Sequence, residues 1–268
     1  MSQIVAASAL RRVEIRPMPD NLRTFLTAIL LVSQTTVAGQ SLPVPAARQD
    51  DPNFLQMIGQ GLYSSITSPE LRRLWGLTVA STLLALPIDR EVMPYRRRLM
   101  PDPVARFGDL WGGSVATITV LPIIYFVDHG KGTDSDETTR RLKFAFSSLV
   151  TVGATTGLLK VAVGRERPNQ ASRRFSFPSG HTSAAFGIAE VIRTLYGHRA
   201  GGPFYLAAVI TAISRIHDNK HYPSDVIAGA GLGIGLVRGF KLAQQWAGPG
   251  HSLELGVTGQ AIGLLYYF

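Results

Sequence analysis

Eleven residues in three clusters, all between positions 160 and 225, are of the types and at the spacings needed to hold an oxyanion and transfer it. In chain order they are Lys160 with Arg167-Pro168, then Pro178-Ser179-Gly180-His181, then Ser214-Arg215 with His221 and Asp225. Lys160, Arg167 and Arg215 are three cations for a phosphate-like group. His181 and His221 titrate near neutrality, so either can move a proton or attack an electrophile. Asp225 lies four residues after His221 and can accept a hydrogen bond from one imidazole nitrogen, fixing the tautomer and freeing the other nitrogen as nucleophile or base.

Each cluster has a bland reading when taken alone. Lys160 and Arg167 are seven apart, on one face of any continuous helix, and singly would be a snorkelling lysine and a surface arginine. Arg165, between them, is expected to be the more exposed cation, acting from outside the anion's immediate contacts. Pro178 and Ser179 open an apolar run as a helix start. The backbone N–H groups of Ser179, Gly180 and His181 would then face an anion, Gly180 giving room for close approach. His217 and Lys220 share the loop of the third cluster, and His217 is expected at the rim or in solvent. His129, His198 and His251 have no comparable surroundings.

The three clusters in this order resemble the type 2 phosphatidic acid phosphatase superfamily, which includes bacterial non-specific acid phosphatases and vanadium haloperoxidases. The resemblance is close over residues 160–225 and loose in the flanking apolar runs. It implies that His221 attacks phosphorus to form a phosphohistidine while Asp225 orients it. It implies that His181 protonates the leaving alcohol, and that Lys160, Arg167, Ser179, Gly180 and Arg215 cradle the equatorial oxygens. It implies a phosphatase for phosphomonoesters or lipid (pyro)phosphates that needs no metal. Two alternatives stand beside it. One is a haloperoxidase holding vanadate in the same cage; the other is a non-catalytic phosphate- or lipid-binding envelope protein. The first two motifs are separated by only nine residues, 169–177, leaving little room for a lid between them.

The elements that must position these residues read as helices. Apolar runs at 74–86, 110–127, 144–159, 184–196, 204–213 and 226–237 are broken by charge, proline or glycine, and none alternates with period two. The expectation is an all-α bundle of about six core helices over residues 54–250, with a short helix at 54–67. At 252–258, apolar residues fall at every second position, which predicts an appended C-terminal β-hairpin over 251–268. The run 110–127 has 18 uncharged residues, the length at which a membrane span becomes plausible. Glu190 and Arg193 interrupt another run, and a charge at a helix centre is disfavoured in a bilayer. The reading is therefore a globular helical domain, either soluble or associated with a membrane surface.

Composition narrows the rest. The 268 residues carry a net charge of +9, which suits a phosphorylated small molecule or lipid. Nucleic acid is disfavoured, because the basic residues are dispersed with no aromatic-interleaved patch. The absence of cysteine excludes disulfides and thiolate chemistry. Arg23 precedes an uncharged run at 24–37 that ends in small residues at 37–39, a secretory leader over 1–40. Met18 is a possible true start, and a Pro-rich linker follows over 41–53. These features point to export to a bacterial-type periplasm or cell envelope.

Overall fold

The structure, a computed structural model, describes residues 53–169, 174–246, 252–258 and 261–267. The expected leader and all but the last residue of the linker lie outside these residues. Up to Trp246 the described chain is all-α, as expected, and the backbone of Ser252–Thr258 pairs antiparallel with that of Ala261–Tyr267. Its helices are α1 Phe54–Thr67, α2 Pro69–Ala85, α3 Asp89–Val92, α4 Asp102–Leu110, α5 Ala116–Gly130, α6 Ser135–Val163, α7 Gly180–His217 and α8 Pro223–Trp246.

Local signals explain the boundaries. Asn53 caps α1 in a reciprocal box, accepting from the Gln56 N–H at 2.9 Å and donating its own N–H to the Gln56 side chain at 2.8 Å. Pro69 sits in the first turn of α2, where its missing N–H goes unused. Asp134 caps α6 by accepting from the Asp136 N–H at 3.0 Å. Gly164 ends that helix in the left-handed region at φ 58°.

Two glycine features bring the site together. Helix α7 is broken at Gly197, where φ is 84° and ψ is 177°, a conformation open to glycine alone at little strain. Its two halves fold back on one another, so that Phe186 meets Tyr205 edge-on at 6.0 Å. Both ends of α7 therefore arrive at the same end of the bundle. Helix α8 crosses the first turns of α7 at backbone contact: a Cβ on Gly229 would lie 2.7 Å from the Ser179 carbonyl, and one on Gly233 2.3 Å from that of Ser183. This contact sets Ser224 and Asp225 beside Ser179 and Gly180.

The membrane reading changes. Helix α6 is 29 residues long and contains an 18-residue window of mean hydropathy 1.5, only 28% of which is buried in the bundle. Residues 223–244 of α8 also have the length and composition of a span, but that window is 83% buried. Large apolar side chains face outward from several helices, among them Leu84, Ile118, Phe126, Leu158 and Val161. So broad an apolar surface belongs in lipid rather than water. Two sequence signals hid it. Lys143 and Lys160 cut the apolar run of α6 short. Glu190 and Arg193 were read as charges opposing a span, yet they face inward and are paired. The Glu190 carboxylate accepts from Nε of Arg193 and Nε of Arg238, each at 2.9 Å, and from the Tyr205 hydroxyl. Paired charges facing a bundle interior are compatible with a bilayer.

Candidate active site

The three clusters converge at one end of the bundle. Lys160 comes from the last turn of α6, Ser179 to His181 from the start of α7, Arg215 from its end, and His221 and Asp225 from the junction with α8. The Lys160 ammonium donates to the carbonyls of Phe175 at 2.8 Å and Pro178 at 2.6 Å, which pins the second motif to the first. A Cβ on Gly180 would lie 3.6 Å from the Lys160 Cε.

Ser179 is the N-cap of α7, yet its side chain makes no capping bond. Its backbone N–H donates to the Asp225 carbonyl at 2.9 Å. That N–H is therefore taken, contrary to expectation, and the Gly180 and His181 amides remain as the helix-end donors.

Asp225 is fully buried and held on three sides. Its Oδ2 accepts from the Ser176 hydroxyl at 2.5 Å and the Tyr222 N–H at 2.9 Å; its Oδ1 accepts from Arg165 at 2.8 Å. His221 is buried too, with its Nδ1 3.6 Å from Asp225 Oδ2. That is a close polar contact rather than a formed hydrogen bond. It nonetheless turns Nδ1 toward the carboxylate and leaves Nε2 as the nitrogen available to a reactant. Burial, as the main cause, lowers the His221 pKa, so the ring is neutral at neutral pH.

Arg165 is half-buried rather than exposed, and it acts through the carboxylate behind His221, from outside the anion's immediate contacts. It bridges two buried carboxylates, giving Nη1 to Asp225 and Nη2 to Asp89 at 2.6 Å, and lies over the Tyr222 ring at 4.3 Å. Asp89 also accepts from the Ser224 N–H at 2.9 Å and hydroxyl at 2.6 Å. His217 is likewise no rim residue. It is 1% exposed, and its Nε2 lies 2.9 Å from Asp102, tying the start of α4 to the end of α7.

Asp109 was not read from the sequence at all. Its Oδ1 is 2.6 Å from Arg215 Nη1 and 3.5 Å from His181 Nε2. Arg215 also binds Asp218 at 2.9 Å. The chain reaches this point through the break after α4: a Cβ on Gly112 would lie 2.2 Å from Thr211 Cγ2 and 3.1 Å from His181 Cβ, so a larger residue would displace the imidazole. Ser176, Asp89 and Asp109 carry no spacing signal, because their partners lie 49 to 135 positions away or on another helix.

The His181 pKa is lowered to about 4, first by burial and then by the Arg215 charge, with Asp109 opposing. Arg167 adds to the lowering at both His181 and His221, which sets it at the same locus. Asp109→Asn removes the opposing charge, so the His181 titration, followed by NMR of labelled imidazole in detergent, is expected to move below about 4. An unchanged or raised midpoint would contradict the assigned contact. A histidine so depressed leaves the unfolded chain holding more protons between about pH 4 and its ordinary value near 6.5, so stability falls as pH drops through that window.

Residues 141–249 match the PAP2 superfamily. Over these residues, and through all three motifs, the chain is similar to that superfamily. Among curated relatives, a lipid A 1-phosphatase of Porphyromonas gingivalis is 40% identical over 88 residues, 31% of this chain and 19% of that protein. A lipid A 1-phosphatase of Rhizobium johnstonii is 27% identical over 198 residues, 63% of this chain and 80% of that protein. Lipid phosphate phosphatase 1 of Arabidopsis thaliana is 30% identical over 185 residues, 53% of this chain and 56% of that protein. The chain thus spans about a fifth of the first relative and just over half of the third. The matched region 141–249 contains every motif residue and omits Asp89 and Asp109, which come from helices before it.

Proposed function

We propose that the protein is a membrane-embedded phosphatase that hydrolyses phosphate monoesters carried on lipids, working through a phosphohistidine and without a metal ion. The observation that carries this reading is the pairing of two histidines across one anion seat. His221 is buried, neutral and backed by Asp225; His181 lies opposite, beside Arg215, at the helix end formed by Gly180. A binding protein would need the cations and amides but not both imidazoles. The relatives named for lipid A and lipid phosphates support the substrate class.

In the first step His221 Nε2 attacks phosphorus while the P–O bond to the alcohol breaks, and His181 gives its proton to the departing oxygen. In the second, water attacks the same phosphorus, the P–N bond breaks, and His181 takes the water's proton. Lys160, Arg167, Arg215 and the Gly180 amide are placed to meet charge as it grows on the equatorial oxygens, which is the larger part of such catalysis. His181 needs a proton for the first step, and with its pKa near 4 it lacks one at neutral pH until a phosphate dianion offsets Arg215. Substrate binding is therefore coupled to proton uptake.

The test is phosphate release across lipid and soluble esters in detergent, with EDTA present throughout. Turnover of lipid phosphates is expected, EDTA should not inhibit, and vanadate should compete. His181→Ala should slow esters of poor leaving groups far more than p-nitrophenyl phosphate. Equal losses on both would remove the acid role, and bromide oxidation with peroxide would favour the vanadate alternative.

A further inference from the structure

Every nitrogen of the Arg215 guanidinium already has a protein partner. Nε donates to the Ser214 hydroxyl at 3.3 Å, Nη2 to Asp218 at 2.9 Å, and Nη1 lies 2.6 Å from Asp109 Oδ1. The Arg215 side chain is 4% exposed, whereas that of Asp109 is 53% exposed. Ser214 is buried and Asp218 follows Arg215 by three residues, so Asp109 is the partner that comes from another helix and faces solvent. The same Asp109 oxygen stands 3.5 Å from His181 Nε2. One carboxylate oxygen thus lies against both the cation assigned to the phosphate and the nitrogen assigned to the leaving oxygen. The backbone beneath it is fixed. A Cβ on Gly108 would lie 2.7 Å from Ser214 Oγ and 2.9 Å from the Ile210 carbonyl, so α4 packs on α7 at backbone contact. The helix has no room to shift toward α7, but an exposed aspartate can turn between rotamers.

We propose that Asp109 is an internal counter-anion: its carboxylate holds Arg215 between turnovers, and the phosphate of the substrate displaces it by side-chain rotation. The inference rests on the phosphatase reading above and adds to it a displaceable residue at the phosphate seat. Charge sets the order of the exchange. A guanidinium this buried is costly without an anionic partner, so the carboxylate stays until a stronger anion arrives. A phosphate monoester brings up to two negative charges against one, and it engages Lys160 and the Gly180 amide as well. The two anions cannot share Arg215 Nη1 and the space beside His181 Nε2 without setting like charges in contact. After hydrolysis the exchange runs backwards. The carboxylate returns to Arg215 and helps to expel inorganic phosphate. Asp109 thereby limits product inhibition at a seat built from three cations.

The test compares the full-length protein in detergent with Asp109→Asn and Asp109→Ala, using inorganic phosphate and vanadate as probes. Calorimetry is expected to show both anions binding roughly tenfold or more tighter to each variant, the scale of removing one like charge from an anion's place. Product inhibition by phosphate should strengthen in step. On the unaltered protein, carbodiimide labelling of Asp109, read by mass spectrometry, should rise when vanadate is bound, because the carboxylate has left Arg215. This arm decides the matter even where a variant fails to fold. Unchanged or weaker anion affinity in either variant, or wild-type labelling that stays level or falls with vanadate, would overturn the proposal. So would a loss of kcat on poor leaving groups with anion affinity intact, which would make Asp109 a positioning residue for His181 instead. If the unaltered protein bound neither anion and released phosphate from no ester, the phosphatase reading itself would fail and this inference with it. Wild-type turnover with an anion affinity indifferent to position 109 would sink this inference alone.

Discussion

His221→Ala is expected to reduce phosphate release by roughly 10⁴-fold or more, the scale on which loss of a covalent nucleophile acts. The geometry makes the variant informative. His221 is buried and contributes no charge to the cradle, so Lys160, Arg167, Arg215 and the Gly180 amide stay in place without it. Vanadate or phosphate should still bind, and only the chemical step should vanish. Incubation with labelled substrate followed by an alkaline quench should leave phosphate on the wild-type chain and none on the variant. Retained turnover in His221→Ala, with label elsewhere on the chain, would remove His221 as the nucleophile. Loss of anion binding together with turnover would instead mean that the imidazole props the cage open.

Arg165→Ala is expected to have the largest effect on stability. The guanidinium is the shared partner of Asp89 and Asp225, which are 1% and 0% exposed. Removing one member of a buried ion pair typically costs about 3–5 kcal/mol, because the remaining charge stays desolvated without its partner. Here two carboxylates would be stranded together. Thermal unfolding in detergent should show a large drop in Tm, and activity should fall with it as Asp225 loses its hold. Arg165→Lys should recover only part of both, since a single ammonium cannot span two carboxylates as the guanidinium fork does. A variant at position 165 that kept both Tm and turnover would show that Ser176, Ser224 and the Tyr222 amide suffice to hold the two acids.

The site was legible in the sequence where its parts are local. His221 and Asp225 are four residues apart, and Ser179 to His181 form one helix start, so spacing alone joined them. The partners that keep them in place were not legible. Ser176, Asp89 and Asp109 reach the site only through the folded path, and an aspartate opening the short helix α3 looks like any other polar residue. His217 was misjudged because its partner, Asp102, lies 115 positions earlier. The helices were legible as apolar runs, and the break at Gly197 falls between two of them. The true extent of α6 was not, because Lys143 and Lys160 look like ends when one is a surface lysine of the helix and the other turns inward to the carbonyls of Phe175 and Pro178. The secretory leader rests on sequence pattern alone.

The break at Gly197 makes α7 a pair of tongs. His181 sits at one tip and Arg215 at the other, and the span between them is set by how firmly the two arms are riveted. The rivet is the Glu190, Arg193 and Tyr205 cluster, tied down by Arg238 from α8. Glu190 lies nine residues from His181, about 13 Å along the arm at the usual helical rise. A change there lies far from both tips, yet it would alter the spacing of His181 and Arg215. A mutational survey confined to the mouth of the site would therefore overlook the residues that set its gauge.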